Sequence, residues 1–577
     1  MNQSRRNFIK KLPVAASIPF ALSNIPVRVL GEENTLTRMA AAAGENRRLI
    51  ILQMHGGNDG LNCVIPVEKY DQYYSIRPNI AIPSKNNARG YIPLDNTLPA
   101  DAQVGLHPDM QAMKALYDQG RMALVQGVSY KNNNGSHFRG RDIWYMGGSY
   151  NDYFQSGWVG RYLEGLYAPL NMEYPKDFPN PTMPDPLAIE MGTDVSLIFH
   201  QDGNIPTSIA IPTDPEGFGQ FIDGLEGFDD IPATVDPRGI PPEYLNGSPY
   251  YKELKWILGL EDKTKSYAKR LSQQYITGKG SDAGVVYPQK YPFNAPEGSQ
   301  ENPLSRQLKV IANLLSGGCQ TKVFLVKVGG FDTHADQVET YNPTMGSHAA
   351  LMYHISTAMN AFQQDLRARG YENEVLTVTT SEFGRQVASN ASYGTDHGTG
   401  APLFIFGRGV QAGVVGTNPD LTKRTVEMQY DYREVFGSIM RDWMLVDDAQ
   451  LEVIFPGLVT NGIHKGVEGQ PFQTLPLAQR TITGSEGFIS DRFRLEDCYP
   501  NPAKDATTIV FHVNSAYNVT VDLYTQKGEK VKSLVNGLYP VGEHKIAVDL
   551  TGLPAGTYIY ELKSGFFKEA KKLVITK

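Results

Sequence analysis

Cysteine is nearly missing from this sequence: Cys63, Cys319 and Cys498 are the only three in 577 residues. So few, so scattered, they exclude a disulfide framework and a cysteine-based zinc site, and three buried thiols are the plain reading. No apolar run is long enough for a membrane-spanning helix in the mature chain. Positive charge is also scarce. The formal net charge is −7, which recommends no nucleic-acid partner. The first thirty residues hold Arg5, Arg6, Lys10, Lys11 and Arg28 and no acid, so removing them takes the net charge from −7 to −12. What is present, 41% hydrophobic and 20% charged residues, suits a soluble globular protein with one large domain and a small one.

The two ends differ from the middle. Ser4-Arg5-Arg6-Asn7-Phe8-Ile9-Lys10 is followed by an apolar stretch from Leu12 to Leu22. A basic head before a short apolar segment is the pattern of a signal peptide. The serine, arginine pair, phenylalanine and lysine resemble the twin-arginine motif, which implies that residues 1–44 are a leader read by twin-arginine export machinery. At the other end, residues 470–490 are polar and aperiodic and read as a linker. Residues 491–577 alternate in short strand patterns separated by turns, as in a small all-β sandwich. A generic adhesive or carbohydrate-binding sandwich would give the same alternation. Tyr499-Pro500-Asn501-Pro502, Gly528, the turn Leu553 to Tyr558 and a basic final strand resemble the type A sorting domain of type IX secretion. That resemblance implies type IX machinery as a partner, and a secreted or cell-surface location reached through the periplasm.

Residues 45–469 alternate strands and helices. Apolar runs at Leu49–Met54, Arg121–Val128, Lys322–Val328, Glu374–Thr380 and Leu403–Phe406 are separated by helical patterns at Pro108–Gln119, Phe138–Tyr145, Pro303–Leu315, His348–Arg369 and Tyr432–Met444. This order predicts an α/β fold with a mostly parallel sheet flanked by helices, with chemistry at the carboxyl ends of the strands. Residues 168–301 are hard to read and suggest an insertion with a helix around Tyr251–Gln274. Polar residues at strand ends are Asp59, Asp332, His334 and Glu382, while Asp396 and His397 precede a strand. Carboxylate oxygens and imidazole nitrogens together are what a divalent metal needs, although one Asp or His in a glycine-rich loop often only caps a turn. Ser136 opens a helix whose N–H groups favour an anion, and Arg139 and Arg141 could add charge-assisted contacts to it.

The segments His55–Asn62, Gly135–Arg139, Gly157–Arg161, Gly329–His334, Ser381–Arg385 and Gly394–Gly398 occur in this order. They resemble the domain of unknown function 1501 family, which is similar in turn to the alkaline phosphatase and sulfatase superfamily. The resemblance implies an alkaline-phosphatase-like fold and hydrolysis of a small anionic ester, phosphate or sulfate. It implies Ser136 as nucleophile with Arg139 neutralising charge. It implies a zinc, calcium or magnesium ion on Asp59, Asp332, His334, Glu382, Asp396 and His397. Phe383 stands where phosphatases carry a histidine and removes one ligand of a second metal. The alternative is a non-catalytic surface or secreted binding protein that keeps the fold.

Overall fold

The computed structural model describes residues 46–202, 205–212, 266–480, 493–513, 517–526, 528–539, 542–564 and 567–576. The leader assigned to residues 1–44 lies outside them, as does most of the helix expected around Tyr251–Gln274; residues 266–280 are helical. The chain divides into two compact units. The larger comprises Arg47–Leu163 and Asp177–Ser490, and the second includes Asp491–Lys577.

The larger unit is built on one nine-stranded sheet. Its strands are β1 (Arg48–Met54), β2 (Met122–Ser129), β3 (Ala188–Met191), β4 (Ser208–Ile211), β5 (Val323–Val328), β6 (Val375–Thr380), β7 (Ala401–Phe406), β8 (Gly413–Val415) and β9 (Tyr430–Asp431). Their order is β8-β2-β7-β6-β1-β5-β3-β4, with β9 also paired to β2. β1 runs parallel to both β5 and β6. Every residue of β1, Arg-Leu-Ile-Ile-Leu-Gln-Met, is buried, as expected of a central strand covered on both faces. β3 and β4, inside the hard-to-read segment, extend the parallel sheet beyond β5. They are short, which is why no apolar run marks them.

β7 departs from the parallel pattern. It is antiparallel to both β6 and β2. Its N-terminal end therefore lies at the same sheet edge as the C-terminal ends of β1, β5 and β6. A residue just before β7 thus meets residues just after the other three strands.

Helices α1 (Gln111–Asp118), α2 (His137–Met146), α3 (Pro303–Ser316), α4 (Ser347–Ala368) and α5 (Tyr432–Asp442) fall within two residues of the sequence-predicted limits, apart from the start of α1. There Pro108–Met110 forms a separate 3₁₀ turn. Asn302 caps α3 by accepting from the N–H groups of Leu304 and Ser305, with Pro303 in its first turn; proline is at home there because its missing N–H is not needed. Residues 471–480, read from the sequence as the start of a linker, pack in this unit. Leu475 and Leu477 are buried, and the Leu475 N–H donates to Ser438 Oγ.

The second unit carries two antiparallel sheets. One joins β10 (Phe493–Leu495), β11 (Ala506–Val513) and β14 (Gly542–Asp549); the other joins β12 (Tyr517–Thr525), β13 (Lys530–Tyr539), β15 (Gly556–Ser564) and β16 (Phe567–Ile575). Strand alternation is visible in β11, where Thr507, Ile509, Phe511 and Val513 are buried in turn. Ile509, Phe511, Val521, Leu523, Tyr560 and Leu573 from both sheets share one core, the arrangement of a sandwich.

Candidate metal centre

The edge formed by β1, β5, β6 and the start of β7 gathers His55, Asp332, His334, Glu382 and His397, and the first turn of α2 adds His137. Asp332 is the hub. His137 Nε2 lies 3.5 Å from Asp332 Oδ2, and His397 Nε2 lies 3.4 Å from Asp332 Oδ1. His334 Nδ1 is 2.8 Å from the same Oδ1. Ligand atoms of His137, Asp332 and His397 all fall within 4.8 Å of one another.

One of the two converging imidazoles has its other nitrogen on an acceptor at hydrogen-bond distance. His397 Nδ1 is 2.7 Å from the Gly135 carbonyl, and His137 Nδ1 faces Glu382 Oε1 at 3.7 Å. A ring that donates from Nδ1 keeps a lone pair on Nε2. His137 Nε2 is buried and has no hydrogen-bond partner. Metal-ligating histidines are held in this way by a carboxylate or carbonyl behind the ring. Phe383 is buried and packs on both rings, with centroids 4.4 Å from His397 and 4.8 Å from His137. Phe383 thus wedges the two imidazoles in place.

Arg385 ties the edge together. Its fully buried guanidinium donates to the carbonyls of Gly56, Gly57, Phe331 and Thr395 and to Asp332 Oδ1. Burial works to raise the Asp332 carboxyl, but Arg385, with His334 and His137, brings it down to about 2. Asp332 is therefore an anion at neutral pH. Burial lowers the pKa of His397, against the opposing pull of the Gly135 carbonyl, which favours the neutral, ligand-competent ring.

Glu382 is buried and held by backbone. The Gly56 N–H donates to both its oxygens at 3.0 and 3.1 Å, the Gly57 N–H donates at 3.3 Å, and His55 Nδ1 sits 3.0 Å from Oε1. Burial raises its pKa, but His55 and the Gly56 N–H outweigh that and lower it. Gly56 and Gly57 sit at φ +123° and +82°; a Cβ would come within 2.3 Å of the Asp332 nitrogen at one and of the Phe383 ring at the other. Only glycine lets this loop close over the carboxylate.

Other residues expected at the site have their side chains engaged in other contacts. Asp59 is fully buried, with both oxygens bonded to Arg77 Nη1 at 2.9 and 2.7 Å and one also accepting from Gln337 Nε2 at 2.6 Å. Burial pushes its carboxyl up, but Arg77 holds it below the usual carboxylate range. Its charge is spent inside the fold, and it is not among the converging ligand atoms. Asp396 is exposed and accepts from Asn390 Nδ2 at 3.0 Å; its side chain makes a turn contact. Ser136 Oγ accepts from the Arg139 N–H at 3.3 Å and caps α2. Arg139 Nη2 donates to the carbonyls of Tyr150 and Asp152, and its guanidinium lies 3.9 Å over Tyr153. His137 joins the cluster and His55 lies against Glu382 beside it. Both stand in segments already notable in the sequence: His55 directly follows β1, and His137 is the first residue of α2.

Residues 310–458 match the family described as Protein of unknown function (DUF1501), and residues 497–576 match the secretion system C-terminal sorting domain. The first match contains Asp332, His334, Glu382 and His397; His55 and His137 lie before it. No curated protein sequence matches the chain. Among solved structures it is similar to the PsFucS1 sulfatase from Pseudoalteromonas sp., at 11% identity and TM-score 0.31, over 90% of this chain and 88% of that one. It is also similar to alkaline phosphatase from the Antarctic bacterium TAB5, at 12% identity and TM-score 0.24, over 64% of this chain and 94% of that one. No described helix is long and apolar enough to cross a membrane. The chain thus carries a DUF1501 segment in its α/β unit and a type IX sorting domain at its C-terminus, and it is a secreted or cell-surface protein.

Proposed function

We propose that this exported protein is a metal-dependent hydrolase of phosphate or sulfate esters, with His137, Asp332 and His397 holding the ion and His334 beside them. The observation that carries the reading is the convergence of two Nε2 atoms on one ionised carboxylate, with the His397 ring backed at Nδ1 by the Gly135 carbonyl. Two imidazoles and a carboxylate suit zinc or a similar borderline ion better than calcium or magnesium, which prefer all-oxygen shells. A divalent cation held there polarises an ester oxygen and makes water a stronger nucleophile.

The chain's own residues supply the rest. Arg385 keeps Asp332 ionised, and the Gly135 carbonyl presents His397 through Nε2. Two of the three donors, Asp332 and His397, stand in the DUF1501 match. The test is metal analysis of purified full-length protein together with hydrolysis of p-nitrophenyl phosphate and p-nitrophenyl sulfate. Metal and turnover together support the hydrolase. Metal without turnover leaves a metal-binding surface protein, and neither leaves the cluster structural.

A further inference from the structure

Glu382 touches two imidazoles, and they differ in what their far nitrogens can do. His137 turns Nε2 inward to Asp332. His55 has its Nδ1 3.0 Å from Glu382 and a side chain that is 47% exposed. No described side chain pairs with His55 Nε2. The ligand atoms that group within 4.8 Å belong to His137, Asp332 and His397, and His55 is not among them. The loop bearing His55 nevertheless lies against the same centre: the Arg385 Nη2 that holds Asp332 Oδ1 also donates to the Gly56 carbonyl. A buried carboxylate, clamped by two backbone N–H groups, thus backs an open imidazole at the rim of the metal cluster.

We propose that His55 is the general base of the hydrolysis, oriented by Glu382 as a positioning residue; this rests on the hydrolase reading above. With Nδ1 donating to Glu382, neutral His55 keeps its lone pair on Nε2. That nitrogen takes a proton from the attacking water while the water oxygen bonds to phosphorus or sulfur. On the opposite side, in line with the attack, the bond from phosphorus or sulfur to the ester oxygen breaks. Its electron pair leaves on that oxygen, which takes a proton from solvent water, and Nε2–H returns its proton to solvent. Water and ester are consumed, alcohol and inorganic anion are released, and no further reactant is needed. A carboxylate that fixes the tautomer of such a base is a recurring catalytic arrangement.

The test uses the full-length protein as purified and His55→Asn, which keeps a donor near the Nδ1 position and removes the basic nitrogen. The half-exposed side chain makes this variant benign to folding, and Glu382→Gln serves as a second probe of orientation. The expected result is unchanged metal content in His55→Asn with turnover of p-nitrophenyl phosphate or sulfate reduced by about 10²–10⁴-fold. Added imidazole should restore part of the rate. Wild-type turnover with an unaffected His55→Asn rate overturns this proposal alone. So does loss of metal in His55→Asn, which would make His55 a ligand. A wild-type chain with neither metal nor turnover overturns the hydrolase reading and this proposal with it.

Discussion

Asp59 and Asp332 follow neighbouring parallel strands and emerge at the same sheet edge, yet they serve different ends. Asp59 is sealed in the interior, and its counter-charge is Arg77, equally buried. Asp332 is 49% exposed and faces three imidazoles as well as Arg385. The comparison shows that a carboxylate at a strand end is a ligand candidate only where its neighbours leave oxygens open. Where an arginine occupies both, the residue is a strut. Arg385 does not close Asp332 off in this way, because four of its contacts are backbone carbonyls and only Oδ1 receives it.

The sharpest break of that comparison is Asp332→Ala. Turnover should fall by orders of magnitude, and metal affinity by more than the ~10–100-fold typical of partners behind a ligand. The melting temperature should fall by less than in Asp59→Ala, since Asp332 is half exposed and Arg385 keeps four carbonyl partners; a combined melting and activity assay checks both. Asp59→Ala should do the reverse. Stranding Arg77 in the interior should cost about 3–5 kcal/mol in a denaturant titration. Metal bound by the fraction that remains folded should stay at the wild-type level.

A third difference concerns pH. Next to Asp59, His348 is buried with Nε2 3.3 Å from Asn58 Oδ1, and burial brings its pKa from 6.5 down to about 4. The unfolded chain takes up a proton between those values that the folded chain does not. This contribution is therefore complete above about pH 6.5 and lost on acidification to about pH 4, on the order of 3 kcal/mol. The slope of stability against pH in that window should be shallower in His348→Asn than in the wild type. The smallest effect belongs to Ser136→Ala. As a cap it should cost about 1 kcal/mol of stability and leave turnover nearly intact. A loss of turnover by orders of magnitude would instead make Ser136 the nucleophile.

The α/β pattern was legible because the strands nearest the site are continuous apolar runs and the helices that flank them have clear periods. The short β3 and β4 and the reversed direction of β7 were not, since direction depends on pairing with distant strands. Asp332, His334, Glu382 and His397 were legible from their places beside strands. The same rule singled out Asp59 without showing its pairing with Arg77, which is brought to it only by the fold. It passed over His137, which begins a helix rather than ending a strand, and left His55 within a glycine-rich motif. The polar stretch 471–480 reads as a linker although Leu475 and Leu477 are buried, because sparse apolar residues without a period leave no pattern to recognise.

The central claim is that His137 and His397 present Nε2 to an ion at Asp332. Metal content of the purified full-length protein, measured beside His137→Gln and Asp59→Ala, tests it most directly. The account predicts roughly one divalent ion per chain in the wild type, as a three-donor protein site holds, its loss in His137→Gln, and its retention in folded Asp59→Ala. Wild-type protein without metal after incubation with zinc, or loss in Asp59→Ala with retention in His137→Gln, would contradict it.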